Sequence, residues 1–485
     1  MIEVKNFSFS YQGSDHLVLD HINLTIQPRE WLLISGGSGC GKSTLALALA
    51  GFLEKVIPGK SNGEVLINQR NIQNMEIYEI SEIVFLVQQN AENQFCTLTV
   101  KDELAFGLEN RCVPVDIIGQ RITSALSAVQ AQNLIDRRLD ELSGGQQQKI
   151  AIATALTLQP EVLILDEPTS NLDCDSLQNL LKVLEELRLS MNLSVVIIEH
   201  QTGLFNELVS RHIEIMDAKL VESKLKPSGL VSKKNLSKKT KSSKIYNEIL
   251  LAAENLQVEY EGVKVLEVNH FELHAGEVVS LMGPNGSGKT TMLLSLLGLI
   301  EADYQSMRIL GTTISGKIKE DIMASAGLVF QNPDHQLFCD SVEEEIKYGP
   351  ANYPSKKIEE NWINCITETF GFSEMKDKHP FLLSYGQKGR LNLASILSYK
   401  PRILLLDEVF IGQDSMNVIF ILDSVRRYVD EQKASVILVN HMVNPVLNFS
   451  DRLIFMENGK IVIDCKPENG IAEFNRIGKS NWLGT

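Results

Sequence analysis

The chain has 485 residues, 44% apolar and 22% charged, with a formal charge of −15. That length holds two to four ordinary domains, and the composition is that of a globular protein, not a disordered or fibrous one. The acidic balance argues against nucleic-acid binding as the main task. No run approaches 18 uninterrupted apolar residues, so no transmembrane helix is expected. The seven cysteines are scattered without a C-x-x-C pair, which fits reduced thiols in a cytosol better than a disulfide framework or zinc site.

In chain order, the alternation of IEVKNFSFSY predicts a strand, with no basic-then-apolar pattern of a signal peptide. WLLIS (Trp31–Ser35) predicts a buried strand, GGSGCGKST (Gly36–Thr44) a loop, and LALALAG a helix. The loop fits G-x-x-x-x-G-K-[ST] in the strand–loop–helix setting that such a motif requires. Gly36, Gly39 and Gly41 let successive N–H groups turn inward around a phosphate, beside the positive end of the helix. Lys42 would reach the terminal phosphates, Ser43 would place a hydroxyl on Mg²⁺, and Thr44, next in the chain, is expected among the nucleotide-binding residues. A polar, helix-rich middle follows. LSGGQQQKIAIATAL opens with a capping-type Ser143 and with Gly144 and Gly145, then reads as a helix. Its start predicts a second anion site. VLILD ends on Asp166, placed to hold Mg²⁺, and Glu167 follows, placed to polarise a water in line with the γ-phosphate. His200, after SVVII, is expected to hydrogen-bond that phosphate.

From Lys224 to Lys244 the chain carries eight lysines, many serines and no acid. This reads as a flexible tether, with contact to anionic lipid or RNA as the alternative use. The pattern then starts again. LAAENLQVEY predicts a strand, and VVSLM (Val278–Met282) leads into GPNGSGKTT (Gly283–Thr291). Here Gly283, Gly286, Gly288, Lys289, Thr290 and Thr291 take the same parts, with Lys289 lying 247 residues after Lys42. LSGGQ returns as LSYGQ, with Ser384 and Gly386, 241 residues on. VLILDEP returns as ILLLDEV, with Asp407 and Glu408, and VVIIEH returns as VILVNH, ending on His441. A lone glycine-rich turn or strand-end acid has a plain structural reading, but a matched second set argues against it. Each half is expected to be a complete domain: 1–222, a linker over 223–248, and 249–485. Short apolar runs separated by helices predict parallel sheets and an α/β fold.

These motifs together resemble the ATP-binding cassette (ABC) ATPases, and the resemblance covers nearly the whole chain twice. It implies two P-loop NTPase cassettes, each with a RecA-like parallel-sheet core, an antiparallel β subdomain and a helical subdomain. It implies ATP and Mg²⁺ as ligands, and two cassettes pairing within one chain so that each ATP meets one P-loop and the other cassette's signature. LVQQNAENQF and VFQNPDHQLF resemble the Q-loop, so Gln89 and Gln331 would sense Mg²⁺ and link the site to a membrane partner. Tyr11 and Tyr260 stand where the family stacks an aromatic on adenine, against the alternative of plain packing at a strand end. Asp173 and Asp414 match the D-loop position.

QNPDHQ is similar to the energy-coupling-factor (ECF) type importers. That resemblance implies a transmembrane coupling subunit, a small membrane subunit that binds the substrate, and a place at the cytoplasmic face of the membrane, with no nucleic-acid partner. A tandem ATPase of a sugar importer and a ribosome-binding translation factor are the other readings. The halves also differ. Tyr385 replaces a signature glycine, at a cost of roughly 1–2 kcal/mol if the position needs a left-handed backbone. Val409-Phe410 replaces Pro168-Thr169. The site combining Lys289, Glu408 and His441 with the intact Ser143 signature is expected to hydrolyse faster.

Overall fold

The computed structural model describes residues 1–14, 16–170, 172–200, 202–223, 245–316, 318–353, 359–440, 449–479 and 482. The lysine-rich tether and His441 lie outside the described residues. The chain divides into two compact units, Met1–Leu230 and Val231–Thr485.

In the first unit the sheet order is Val84–Val87, Val162–Asp166, Ser194–Ile198, Trp31–Gly36, Arg211–Met216, Lys219–Ser223. The first five strands run parallel and the last pairs antiparallel. The alternation of side chains along these strands decides what each face covers. Leu33, Leu163, Leu165, Val195 and Ile197 join one core, with the helices Val100–Asn110, Val115–Ala128 and Gly144–Thr157. Leu32, Ile34, Val162, Ile164, Val196 and Ile198 join the other, with the loop helix Lys42–Leu49 and an antiparallel sheet. That sheet has the order Leu19–Ile26, Ile2–Tyr11, Gly59–Ile67, Arg70–Asn71.

The second unit repeats the plan. Its main sheet runs Ala326–Val329, Ile403–Asp407, Ser435–Val439, Val278–Met282, Arg452–Glu457, Lys460–Cys465. Leu404, Leu406, Val436 and Leu438 face the helices Val342–Asn352, Glu360–Thr369 and Tyr385–Ser398. Val279, Leu281, Ile403, Leu405, Ile437 and Val439 face the helix Lys289–Leu296 and the antiparallel sheet built on Ile249–Tyr260. Among the described residues no helix is long and apolar enough to cross a membrane.

Both central strands thus end at the same edge of their sheet as the phosphate-type loop. Parallel pairing puts Asp166 opposite Ile198, and Asp407 opposite Val439. The register carries the acids to the strand ends where the loops begin.

Candidate functional site

In each unit a glycine in the left-handed region starts the loop helix. Gly41 has φ 103° and Gly288 has φ 94°, so an L side chain there would be strained. A Cβ on Gly41 would also meet the Val18 carbonyl at 2.7 Å. Farther back, a Cβ on Gly36 would stand 2.7 Å from the Ile215 carbonyl, and one on Gly283 2.2 Å from the Met456 carbonyl. Gly39 and Gly286 face open space. The cradle is therefore bare backbone on a tightly packed floor, as phosphate binding by N–H groups requires.

The two lysines are buried inside their loops. Lys42 Nζ donates to the Gly36 and Gly37 carbonyls at 3.1 and 2.9 Å. Lys289 Nζ donates to the Gly283 and Pro284 carbonyls, both at 2.8 Å. Thr290 Oγ1 donates to Asp407 Oδ2 at 2.7 Å, and Ser43 hydrogen-bonds Asp166 in the first unit. Thr44 is buried and shares a 2.9 Å hydrogen bond with the Tyr11 hydroxyl. Tyr11 also sets its ring edge-on to Phe9, while Tyr260 is half exposed at its strand end. Thr291 lies half-buried in the first turn of its helix.

Asp166 is buried, and among the described residues its Oδ1 has no hydrogen-bond partner. Burial first, then the neighbouring Glu167, push its carboxyl up to about 6, against the lowering effects of Ser43 and Lys42. An orphaned buried carboxylate oxygen beside a hydroxyl and a phosphate-type loop fits a hard, oxygen-preferring cation.

Glu167 and Glu408 are left-handed non-glycine residues, with φ 45° and 50°. Each is pinned by its own N–H, Glu167 to the Ile198 carbonyl and Glu408 to the Val439 carbonyl. Conformations of this kind are held only where the surrounding structure dictates them, and they cluster at functional sites. The turn brings Glu167 beside Gln89 and His200, and Glu408 beside Gln331. Gln89 Nε2 donates to Glu167 Oε2 at 2.8 Å, and His200 Nε2 lies 2.9 Å from Glu167 Oε1. Gln331 Nε2 donates to Glu408 Oε2 at 2.9 Å.

The signature segments form helix N-termini. Ser143 caps Gly144–Thr157 in a capping box with Gln146, and Ser384 caps Tyr385–Ser398 in one with Gln387. The left-handed cost considered for Tyr385 does not arise, because residue 385 is the first residue of a right-handed helix. The constraint on glycine lies one position later. A Cβ on Gly145 would meet Ser176 at 2.6 Å, and one on Gly386 would meet the Gly412 carbonyl at 3.0 Å. Asp173 and Asp414 cap the following helices, accepting from Ser176 N and Asn417 N.

Three features were not foreseen from sequence. Glu199 is buried, accepts from Thr169 Oγ1 at 2.7 Å, and is pushed up by burial and by Glu167. The second unit places Asn440 and Phe410 there instead. Buried Glu103 and Glu345 clamp the segments after each Q-loop: Glu103 accepts from Cys96 N and Thr97 N, and Glu345 from Phe338 N and Cys339 N. The shared DEL and EEI patterns were a visible signal for that pair. Third, the Tyr385 hydroxyl reaches the Gln331 backbone.

The family model described as ABC transporter matches residues 19–170 and 266–410. A Bacillus subtilis (strain 168) chain, named provisionally as the HMP/thiamine import ATP-binding protein YkoD, is 30% identical over 506 residues, covering 96% of this chain and 92% of its own. An ABC transporter ATP-binding protein from Methanosarcina acetivorans, also provisionally named, is 33% identical over 479 residues, covering 96% and 90%. A solved structure of ribosome-bound archaeal Pelota and ABCE1 matches with a TM-score of 0.68 at 20% identity, covering 97% of this chain and 80% of that one. At that identity the likeness speaks for the fold. The chain belongs to the ABC transporter family as a tandem ATP-binding protein with two cassettes, for which ATPase activity is expected.

Proposed function

We propose that this chain is the ATP-hydrolysing subunit of an ECF-type importer, driving uptake of a vitamin, a vitamin precursor or a metal ion through separate membrane subunits. The observation that carries the reading is the relative named for HMP/thiamine import, which aligns along both cassettes over 96% of this chain. The QNPDHQ turn at Gln331–Gln336 supports the same branch. The domain limits 1–222 and 249–485, the lysine-rich link over 223–248, pairing of the cassettes and attachment at the cytoplasmic face of the membrane belong to this proposal.

The residues act as follows. Lys42 and Lys289, with the loop N–H groups, hold the terminal phosphates of ATP. Ser43 with Asp166, and Thr290 with Asp407, would hold Mg²⁺, with Gln89 and Gln331 close by. The ion would neutralise charge building on the phosphates. Glu167 and Glu408 polarise the attacking water, oriented by Gln89 and Gln331. His200, and His441 at the matching position, sense the γ-phosphate. Tyr11 and Tyr260 border the adenine. Ser143, Gly144, Gly145, Ser384 and Gly386 present helix N-termini to phosphate. Loss of the γ-phosphate releases what these groups grip, which is how hydrolysis becomes movement.

Co-purification tests the reading. Gently solubilised membranes carrying tagged protein are expected to yield two small integral membrane proteins by mass spectrometry. Ribosomal proteins from a membrane-free fraction would contradict the importer assignment.

A further inference from the structure

In the second unit three side chains on one face of the helix Tyr385–Ser398 hold the turn that carries Gln331. The Tyr385 hydroxyl donates to the Gln331 carbonyl at 3.3 Å. Lys388 Nζ donates to Asp334 Oδ1 at 2.7 Å, and Asn392 Nδ2 donates to the Pro333 carbonyl at 3.2 Å. Positions 385, 388 and 392 fall on one helical face by spacing. Gln331 in turn donates its side-chain amide to Glu408. A continuous run of hydrogen bonds thus joins the signature helix to the carboxylate of the same cassette.

The first unit lacks the means to build this. Its matching positions are Gly144, Gln147 and Ala151. Glycine has no hydroxyl to offer, Gln147 donates instead to the Leu139 carbonyl at 3.3 Å, and alanine has no polar atom. There Glu167 is held from its other oxygen by His200.

We propose that Tyr385 is a positioning residue for ATP hydrolysis in the second cassette: its hydroxyl fixes the Gln331 backbone, so that the Gln331 amide holds Glu408 in place. The substituted glycine is then a gain of function at its own cassette's site. The role rests on the reading of Glu408 as the water-polarising residue. Burial pushes the Tyr385 hydroxyl up to about 12, so it remains a donor throughout the neutral range. The Lys388–Asp334 pair holds the same turn one helical step away, which keeps the Gln331 carbonyl within reach of the tyrosine.

The test is a double-mutant cycle on steady-state ATP turnover by the full chain with Mg²⁺. Tyr385→Phe keeps the ring and its packing and removes one neutral hydrogen bond. It is expected to lower kcat about five-fold with KM for ATP little changed. In a Gln331→Ala background the same substitution is expected to have no further effect, because its route to Glu408 is gone. Lys388→Met, which leaves Tyr385 in place, is expected to cost about two-fold. Wild-type kcat in Tyr385→Phe would overturn the positioning role, whatever the effect of Lys388→Met. So would an undiminished Tyr385→Phe effect in the Gln331→Ala background, since the hydroxyl would then act elsewhere. Glu408→Gln is measured alongside. Unchanged turnover there would overturn the underlying reading of Glu408, and the tyrosine's role with it. Lost turnover there, with Tyr385→Phe at the wild-type rate, would overturn the tyrosine's role alone.

Discussion

Asp166 shows how a buried carboxylate costs stability in the fold that carries it. Burial, which disfavours the charge, pushes its carboxyl up to about 6. An unfolded chain would titrate it near about 3.9. The folded state therefore binds the proton more tightly, and ionised Asp166 costs stability above its folded pKa. That cost is relieved as pH falls through about 6. In the absence of Mg²⁺ and nucleotide, Asp166→Asn should stabilise the chain at pH 7 by about 2 kcal/mol, and the gap to the wild type should close toward pH 4. Urea unfolding at several pH values measures this. A gap that is flat with pH would contradict it. Glu167 and Glu408 carry another local cost, their left-handed backbone, of order 1–3 kcal/mol each. Matching strain at matching positions in both cassettes supports a shared role.

At the scale of elements, the signature helices divide what sequence makes legible from what it hides. The motif, the Ser cap and the helix behind it can be read directly, because capping residues and helical periodicity are local properties. So can the loop lysines and the Asp-Glu pairs, which sit at fixed offsets from buried strands. The meaning of Tyr385 could not be read that way. A missing glycine suggests a backbone constraint, but residue 385 is helical and its hydroxyl meets a carbonyl 54 residues away in the chain. Thr169 and Glu199 likewise meet only because the strands Val162–Asp166 and Ser194–Ile198 are neighbours. The close approach that does demand glycine is at 145, where a Cβ would press on Ser176. Gly145→Ala should destabilise the first cassette by about 1–3 kcal/mol through overpacking. Gly386→Ala, with its nearest neighbour at 3.0 Å, should cost its cassette less. Denaturant unfolding of each variant compares them, and equal tolerance would contradict the packing argument.

Across the whole molecule, one architecture is used twice with different wiring. Parallel strands deliver Lys42, Asp166 and Glu167 to one end of the first main sheet, and Lys289, Asp407 and Glu408 to one end of the second. The first unit adds a buried Glu199–Thr169 pair near its glutamate, and the second adds the Tyr385–Gln331 link to its own. Such differences suit a chain whose two ATP sites work at unequal rates. On the proposed function Glu167 and Glu408 drive ATP hydrolysis, with Glu408 the larger contributor. Steady-state ATP turnover of the wild type, Glu167→Gln, Glu408→Gln and the double variant tests it most directly. A loss of at least about 100-fold is expected in the double variant, and a larger loss in Glu408→Gln than in Glu167→Gln. Wild-type turnover in the double variant, or a larger loss in Glu167→Gln, would contradict it.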